Sequence, residues 1–188
     1  MASPCDNSAM AFSRPKRIIS EERELYEYAV GALARRMRSV AELKRLMRQR
    51  VEADTEYGQM LLEVVIAKLK EQGYLNDARY AAAYTSYRRD NEKFGRQRVI
   101  SDLKARGVHG SVIEKAVESF YDEVSEEQQA RAYLRRKRIE KPKDQKQAAR
   151  AFRTLLRAGF SSRTIFSILK KWDVDEETLN ALESESSS

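Results

Sequence analysis

Arginine and lysine are the side chains with the most chemistry to offer in this sequence. Eleven of them fall between positions 131 and 157, against only Glu140 and Asp144, whereas the whole 188-residue chain carries a net charge of +7. Everything outside that stretch is therefore net acidic. A guanidinium group holds a carboxylate or a phosphate through paired hydrogen bonds, so the stretch suits an acidic protein surface or a nucleic acid backbone equally well. Arg150, Arg153 and Arg157 recur at helical spacing on one stripe, with Leu155 and Leu156 towards the core and Arg135 and Arg136 upstream. Smaller basic clusters are Lys44, Arg45, Arg48 and Arg50, then Arg96, Arg98, Lys104 and Arg106. The carboxylates gather elsewhere, in Glu118, Asp122, Glu123, Glu126 and Glu127 and again in Asp173, Asp175, Glu176 and Glu177. Signs interspersed for solubility would not segregate in this way, which points to a polyanionic or acidic partner.

Bond-making chemistry has little to work with. The one histidine, His109, sits in a turn, and with the one cysteine, Cys5, it cannot build a usual zinc site. No phosphate-cradling Gly-x-x-x-x-Gly-Lys-Ser/Thr loop occurs, and no Gly-x-Ser-x-Gly turn. The Glu126–Glu127 pair lies in a charged segment without the apolar surroundings that raise a pKa for acid catalysis. The expectation is a binding protein with no cofactor, no metal and no catalytic residues. A single cysteine fits a reducing compartment, the cytoplasm, and no apolar run approaches the roughly 20 residues of a membrane span. The opening MASPCDNSAMAFSRPKR lacks a secretory apolar stretch and reads as a short disordered tail, with an organelle transit peptide as the alternative.

The elements that must carry these side chains are helical. Only 7 glycines and 3 prolines are present, fewer than a strand-rich chain needs for its turns. Residues 103–120, LKARGVHGSVIEKAVESF, read as two amphipathic helices around a glycine, and the pattern recurs in FRTLLRAGFSSRTIFSILKKW at 152–172. At one constant offset, Ile100, Leu103, Gly107, Val108, Ile113, Ala116, Val117 and Phe120 fall on Phe152, Leu155, Gly159, Phe160, Ile165, Ile168, Leu169 and Trp172. A third copy places Leu43 and Leu46 on Ile100 and Leu103, with Arg50 for the glycine, Val51 on Val108, an insertion in EADTEYGQM, and a last helix through Leu62, Val65, Ile66 and Leu69. The period is about 50 residues.

Each copy has an upstream helix, at 24–37 (Leu25, Tyr28, Ala29, Ala32 and Leu33 inward), 76–90 (Ala78, Ala81, Ala82 and Tyr84 inward) and 126–140 (Ala130, Tyr133 and Leu134 inward). Asn76 or Asp77, Ser39, and Ser111 with Glu114 read as N-caps, and Gly73, Gly107 and Gly159 as helix ends. The reading is an all-α, elongated array of three tandem three-helix, helix-turn-helix-like repeats. They span 23–75, 76–124 and 125–179, between flexible tails at 1–22 and 180–188. Helices packed 8–10 Å apart would make such an array roughly 60 Å long or more. Three similar copies argue against a single DNA-reading head, which uses one recognition helix. Tyr87 and Phe94 are the aromatic side chains placed to be exposed, as single-strand binders require.

The stretch GYLNDARYAAAYTSYRRDNEKFGRQRVISDLKARGV, 73–108, resembles the signature region of the RecX family, bacterial regulators of the RecA recombinase. The residues that carry the resemblance are Gly73–Tyr74–Leu75, Asn76–Asp77, Arg79–Tyr80–Ala81, Arg88–Arg89, Gly95 and Leu103–Gly107–Val108, with LARRMRSVAELKRLM at 33–47 fitting the first repeat. It covers about residues 23–175, the third repeat mainly in pattern. It implies a monomeric protein that binds RecA in its filament form and inhibits filament growth in DNA repair, recombination and the SOS response. Single- or double-stranded DNA is a possible further contact. The residues expected to bind are Arg88, Arg89, Arg96, Arg98, Lys104, Arg135, Arg136, Arg150, Arg153 and Arg157. A direct DNA-binding regulator and a pure protein scaffold are the alternatives.

Overall fold

The computed structural model describes residues 17–186, and these hold ten helices and no strand. α1 (Glu22–Arg35), α2 (Val40–Arg48) and α3 (Glu56–Glu71) form the first unit. α4 (Asp77–Asp90), α5 (Arg96–Ala105) and α6 (Gly110–Tyr121) form the second. α7 (Glu126–Arg136), α8 (Gln145–Arg157) and α9 (Ser162–Lys170) form the third, which α10 (Glu176–Ser186) joins. In each unit the third helix packs on the other two.

Local sequence accounts for most boundaries. Ser39 caps α2 in a full capping box with Glu42, and the side chains of Thr55, Asn76, Ser125, Asp144 and Ser161 each accept a backbone N–H at a helix start. Gly73, Gly107 and Gly159 stand at φ of 72°, 72° and 88° where α3, α5 and α8 end. The cap of α6 is His109 instead of Ser111. Only four residues connect α5 to α6, so the helix begins at Gly110, Ser111 falls in its first turn, and the His109 ring accepts from the Ser111 N–H at 3.4 Å.

Burial follows the expected pattern with two shifts. The buried pair of α2 is Leu43 and Met47, matching Val99 and Leu103 of α5 and Ala151 and Leu155 of α8, so the first repeat is offset by one position from the alignment read off its leucines. On α4 the inward residues are Tyr80, Ala81 and Thr85, whereas Ala78 is exposed. The Thr85 hydroxyl is fully buried and has no hydrogen-bond partner. An unsatisfied buried hydroxyl costs on the order of 1–3 kcal/mol. Thr85→Val, which keeps the shape, is therefore expected to raise the unfolding free energy by about 1 kcal/mol in chemical denaturation.

Three cores result, one per unit. Leu25, Leu43, Leu62, Val65 and Leu69 centre the first; Ala81, Val99, Leu103 and Ile113 the second; Phe152, Leu155, Phe160, Ile165 and Ile168 the third. Phe94 is half-buried and packs against both the second and the third core, which removes it from the exposed aromatics, while Tyr87 is 55% exposed. The flexible tail expected from 180 is absent from the described residues: α10 runs to Ser186, and Leu179 and Leu182 are buried against α8 and α9. Two leucines three apart suffice to lay one turn of that helix on the core. Of the other expected tail, residues 1–16, with Cys5, lie outside the described residues; Ile19 is buried and its N–H donates to the Arg50 carbonyl at 2.6 Å.

Both joints between units are made by corresponding helix ends. At the first joint the Ser39 hydroxyl, at the N-terminus of α2, donates to the Arg106 carbonyl at the C-terminus of α5 at 2.6 Å. At the second, the Gly95 N–H at the N-terminus of α5 donates to the Ala158 carbonyl at the C-terminus of α8 at 2.8 Å, and the Gln97 N–H to the Gly159 carbonyl at 3.2 Å. Helix ends leave N–H groups at one terminus and C=O groups at the other without intrahelical partners. At the second joint such groups satisfy one another, and at the first the capping hydroxyl of Ser39 takes the free carbonyl, so α8, α5 and α2 meet end to end, the N-terminus of one at the C-terminus of the next. A Cβ on Gly107 would stand 2.5 Å from the Ala41 Cβ, and one on Gly159 only 2.1 Å from the Arg98 nitrogen. Both glycines are thus required twice over, by φ and by the closeness of the next helix.

Candidate functional site

The end-to-end helices set out a row of seven exposed cations. Their buried pairs share one register, and both joints are made by the same elements, so their outward positions fall on corresponding faces. Arg45 and Arg48 occupy that face on α2, Lys104 on α5, and Lys146, Arg150, Arg153 and Arg157 on α8, all exposed. Arg45, Arg48, Lys104, Lys146, Arg150 and Arg157 are in no ion pair among the described residues. The helices' own carboxylates are turned away from it. Glu42 is 17% exposed, bonds the Ser39 N–H at 3.3 Å and lies 3.9 Å from Arg106. Asp102 is 13% exposed and takes Arg98 at 3.1 Å, Arg88 at 3.4 Å and the Tyr84 hydroxyl at 2.8 Å. α8 has no acidic residue. Six exposed cations outside any ion pair among the described residues, carried on three helices, offer sites to a ligand of regularly spaced negative charge.

The other expected binding residues divide sharply. Arg88 and Arg89 serve the protein's own interior. Arg88 donates from Nε to the Tyr84 hydroxyl at 2.7 Å and lies over the Tyr84 and Phe94 rings. Arg89 donates to both oxygens of Asp90 and, at 2.6 Å, to the Phe120 carbonyl, tying α4 to the end of α6. The Asp90 hydrogen bonds hold the Arg89 guanidinium above its usual pKa, and the same bonds hold the Asp90 carboxyl below its own. Arg96 lies 3.9 Å from Asp122, Arg98 is held by Asp102 and partly exposed, and Arg136 bridges to Glu92 at 3.1 Å across the second joint. Arg135 is exposed on α7 and is in none of the ion pairs. The structure thus brings Lys104, Arg150, Arg153 and Arg157 into one row, leaves Arg96, Arg98 and Arg135 beside it, and turns Arg88 and Arg89 inward. Arg45 and Arg48 join the row from the first unit; their sequence cluster pointed to them, but only the end-to-end stacking connects them to α8.

Supporting contacts fix the third unit on the second. Gln129 donates to the Arg89 carbonyl at 2.7 Å, and the Phe94 and Tyr133 rings meet at 5.9 Å; within the second unit, Tyr121 donates to the Phe94 carbonyl at 2.8 Å and so holds Phe94 in place. Burial pushes the Tyr121 hydroxyl well above the usual phenol range. Glu126 anchors α9 by accepting from the Ser161 N–H at 2.8 Å, the Ser161 hydroxyl at 2.6 Å and the Thr164 hydroxyl at 2.5 Å. Burial alone would raise its pKa, but these three bonds outweigh it and hold the carboxyl below the usual range. A carboxyl depressed in the folded state stabilises above its unfolded pKa and loses that contribution as pH falls through the folded one. Wild-type stability is therefore expected to fall below about pH 4.5, near the ordinary glutamate value. Glu126→Gln should show a shallower loss between pH 6 and 3 in urea titrations.

Among the described residues no group of three or more His, Cys, Asp or Glu is placed to hold a metal ion, and no helix is long and apolar enough to cross a membrane.

Known proteins agree with this architecture. Residues 76–117, α4 to α6, match the family model for the second three-helix domain of RecX. The regulatory protein RecX of Pseudomonas putida (strain W619) is 30% identical over 148 residues, which cover 79% of this chain and 90% of that protein. That of Geobacillus thermodenitrificans is 32% identical over 155 residues, 78% of this chain, which spans only 53% of that longer relative. The crystal structure of RecX from Lactobacillus salivarius superposes with a TM-score of 0.61 at 19% identity, over 81% of this chain and 96% of that one, and so shares the fold. Repeat architecture, the signature between Gly73 and Val108, and a relative matched along nine-tenths of its length converge: the chain belongs to the RecX family of regulatory proteins.

Proposed function

We propose that this chain binds the RecA recombinase in its DNA-bound filament form and limits filament growth, and with it ATP hydrolysis and strand exchange. Family membership supports a regulatory role, and the resemblance supplies the recombinase as partner. The observation that carries the reading is the row of exposed cations along α2, α5 and α8. A helical filament is a long object whose charges recur at fixed intervals, and a rigid row of cations meets several at once. Occupying the groove blocks strand uptake and subunit addition by exclusion alone, with no bond made or broken.

The reading as a direct sequence reader has less support. In a helix-turn-helix reader the second helix of the pair enters the major groove. Here that helix is α3, α6 or α9, each packed on its two neighbours, and the exposed face of α6 carries Glu114 and Glu118.

The deciding experiment is the single-stranded-DNA-dependent ATPase of the cognate RecA with this protein at substoichiometric ratios. A progressive fall in rate is expected. An unchanged rate, together with tight salt-sensitive binding to DNA alone, would replace the filament regulator with a DNA-binding one.

A further inference from the structure

Two clefts open side by side where the end of α1 meets α4, and they share one wall, Met37. The first, about 240 Å³, is floored by Val30, Leu33 and Ala34 with Tyr74 at its edge. The second, about 270 Å³, is lined by Glu42, Tyr80, Ala83, Tyr84 and Tyr87. Met37 is 49% exposed, Tyr74 54% and Tyr87 55%, a concentration of apolar surface outside the cation row described above.

The rim is arginine. Arg38 and Arg79 border the first cleft, Arg36 and Arg106 the second. Arg36 is exposed and has no partner among the described residues. Arg38 and Arg79 donate to neutral carbonyls, those of Ala32 at 3.4 Å and Gly73 at 2.9 Å, so neither charge is cancelled. Two carboxylates lie close by: Glu42, which lines the second cleft, takes the Ser39 N–H and the Tyr80 hydroxyl, each at 3.3 Å, and Asp77 takes the Val40 N–H at 2.8 Å. Only Arg106 has an anionic neighbour, Glu42 at 3.9 Å. The result is an apolar floor, divided by a flexible thioether, under a positive rim.

We propose that this double cleft is a docking site for an acidic segment of a protein partner, which seats one apolar side chain on each side of Met37 while its carboxylates meet Arg36, Arg38 and Arg79. Charge complementarity selects an acidic occupant, and the aliphatic floor of the first cleft selects side chains. Methionine suits such a divider because its unbranched, polarisable side chain adapts to what lies against it. A single-stranded nucleic acid shares the negative charge, but base binding needs flat aromatic platforms. The Tyr80 and Tyr84 rings are stacked on one another at 6.1 Å, with the Arg106 guanidinium 4.5 Å from the centre of the Tyr84 ring.

The site is separate from the cation row, so its test does not depend on the filament reading. Random peptides displayed on phage are selected on the full-length chain. The recovered peptides and oligo-dT are then titrated against protein carrying 13C-methyl methionine. The expected result is a set of peptides rich in Asp and Glu with two apolar residues, shifting the Met37 methyl and binding at least tenfold more weakly to Met37→Glu. Arg36→Glu, on an exposed side chain, should weaken the same peptides severalfold and serves as the readout if Met37→Glu loses helicity. Three outcomes overturn the proposal: no peptide recovered, peptides that bind both variants as well as wild type, or oligo-dT shifting Met37 and displacing the peptides.

Discussion

Gly159→Ala is expected to undock the third unit from the second. The added methyl meets two obstacles. At φ 88° a side chain is strained by about 1–2 kcal/mol, and the new Cβ would lie 2.1 Å from the Arg98 nitrogen. Forcing an extra methyl into a packed contact costs roughly another 1–3 kcal/mol. The obstructing atoms are backbone, held by the hydrogen bonds of Gly95 and Gln97 to the Ala158 and Gly159 carbonyls, so they cannot step aside without breaking the joint. A loss of about 3 kcal/mol is the expected scale, concentrated at one interface. Unfolding in urea should split into two transitions, and amide exchange at Gly95 and Gln97 should accelerate far more than at Leu103. Gly73→Ala supplies the control, because Gly73 has φ 72° but nothing within 4 Å of its added Cβ. That variant should lose about 1 kcal/mol and stay cooperative. Equal losses at the two glycines would mean that backbone conformation, and not the joint, makes Gly159 necessary.

The second large effect concerns binding. The triple variant Arg150→Glu, Arg153→Glu and Arg157→Glu should abolish inhibition of the recombinase ATPase at concentrations where the wild type acts fully, with helix content unchanged. All three side chains are exposed on α8, and none lies in the core. If the row contacts single-stranded DNA, reversing three phosphate-neutralising charges should also flatten the dependence of log K on log salt by roughly 2. If it contacts an acidic protein surface, affinity should fall and the salt slope for DNA alone stay as it was. Full inhibition by a folded triple variant would remove α8 from the interface.

Periodic apolar residues and turn glycines made the helical units legible in the sequence. Gly107 and Gly159 showed themselves by equivalent position, and Ser39 as an N-cap, whereas the capping box fell on Ser39 and Glu42 and not on Ser111 and Glu114. The joints were not legible, because they join residues more than sixty positions apart, mostly through backbone groups that leave no pattern of side chains. Gly95 accordingly read only as a family glycine, although its lack of a Cβ admits the Gly159 carbonyl. Arg88 and Arg89 show the opposite failure: sequence placed them among the surface charges, but Asp102, Asp90 and the Phe120 carbonyl draw them inward. Exposure of an arginine depends on partners brought in by the fold, and charge counting does not see them. Phe94 misled for a related reason, since its neighbours in the third core lie far along the chain. In α10, two buried leucines among Glu, Ser and Asn were too sparse to announce a helix.

The end-to-end contact of α8, α5 and α2 also makes the molecule a measuring device. A flexible linker between units would let the charges of α2 and α8 drift with respect to each other. Hydrogen bonds of 2.6–3.2 Å between successive helix ends leave no such slack. The separation of Arg48 from Arg153 is therefore set by counting residues in rigid segments, as a ruler is graduated. On the filament reading proposed above, such a ruler would distinguish partners by interval as well as by charge: a polymer whose negative groups recur at the wrong spacing would meet one helix and miss the next.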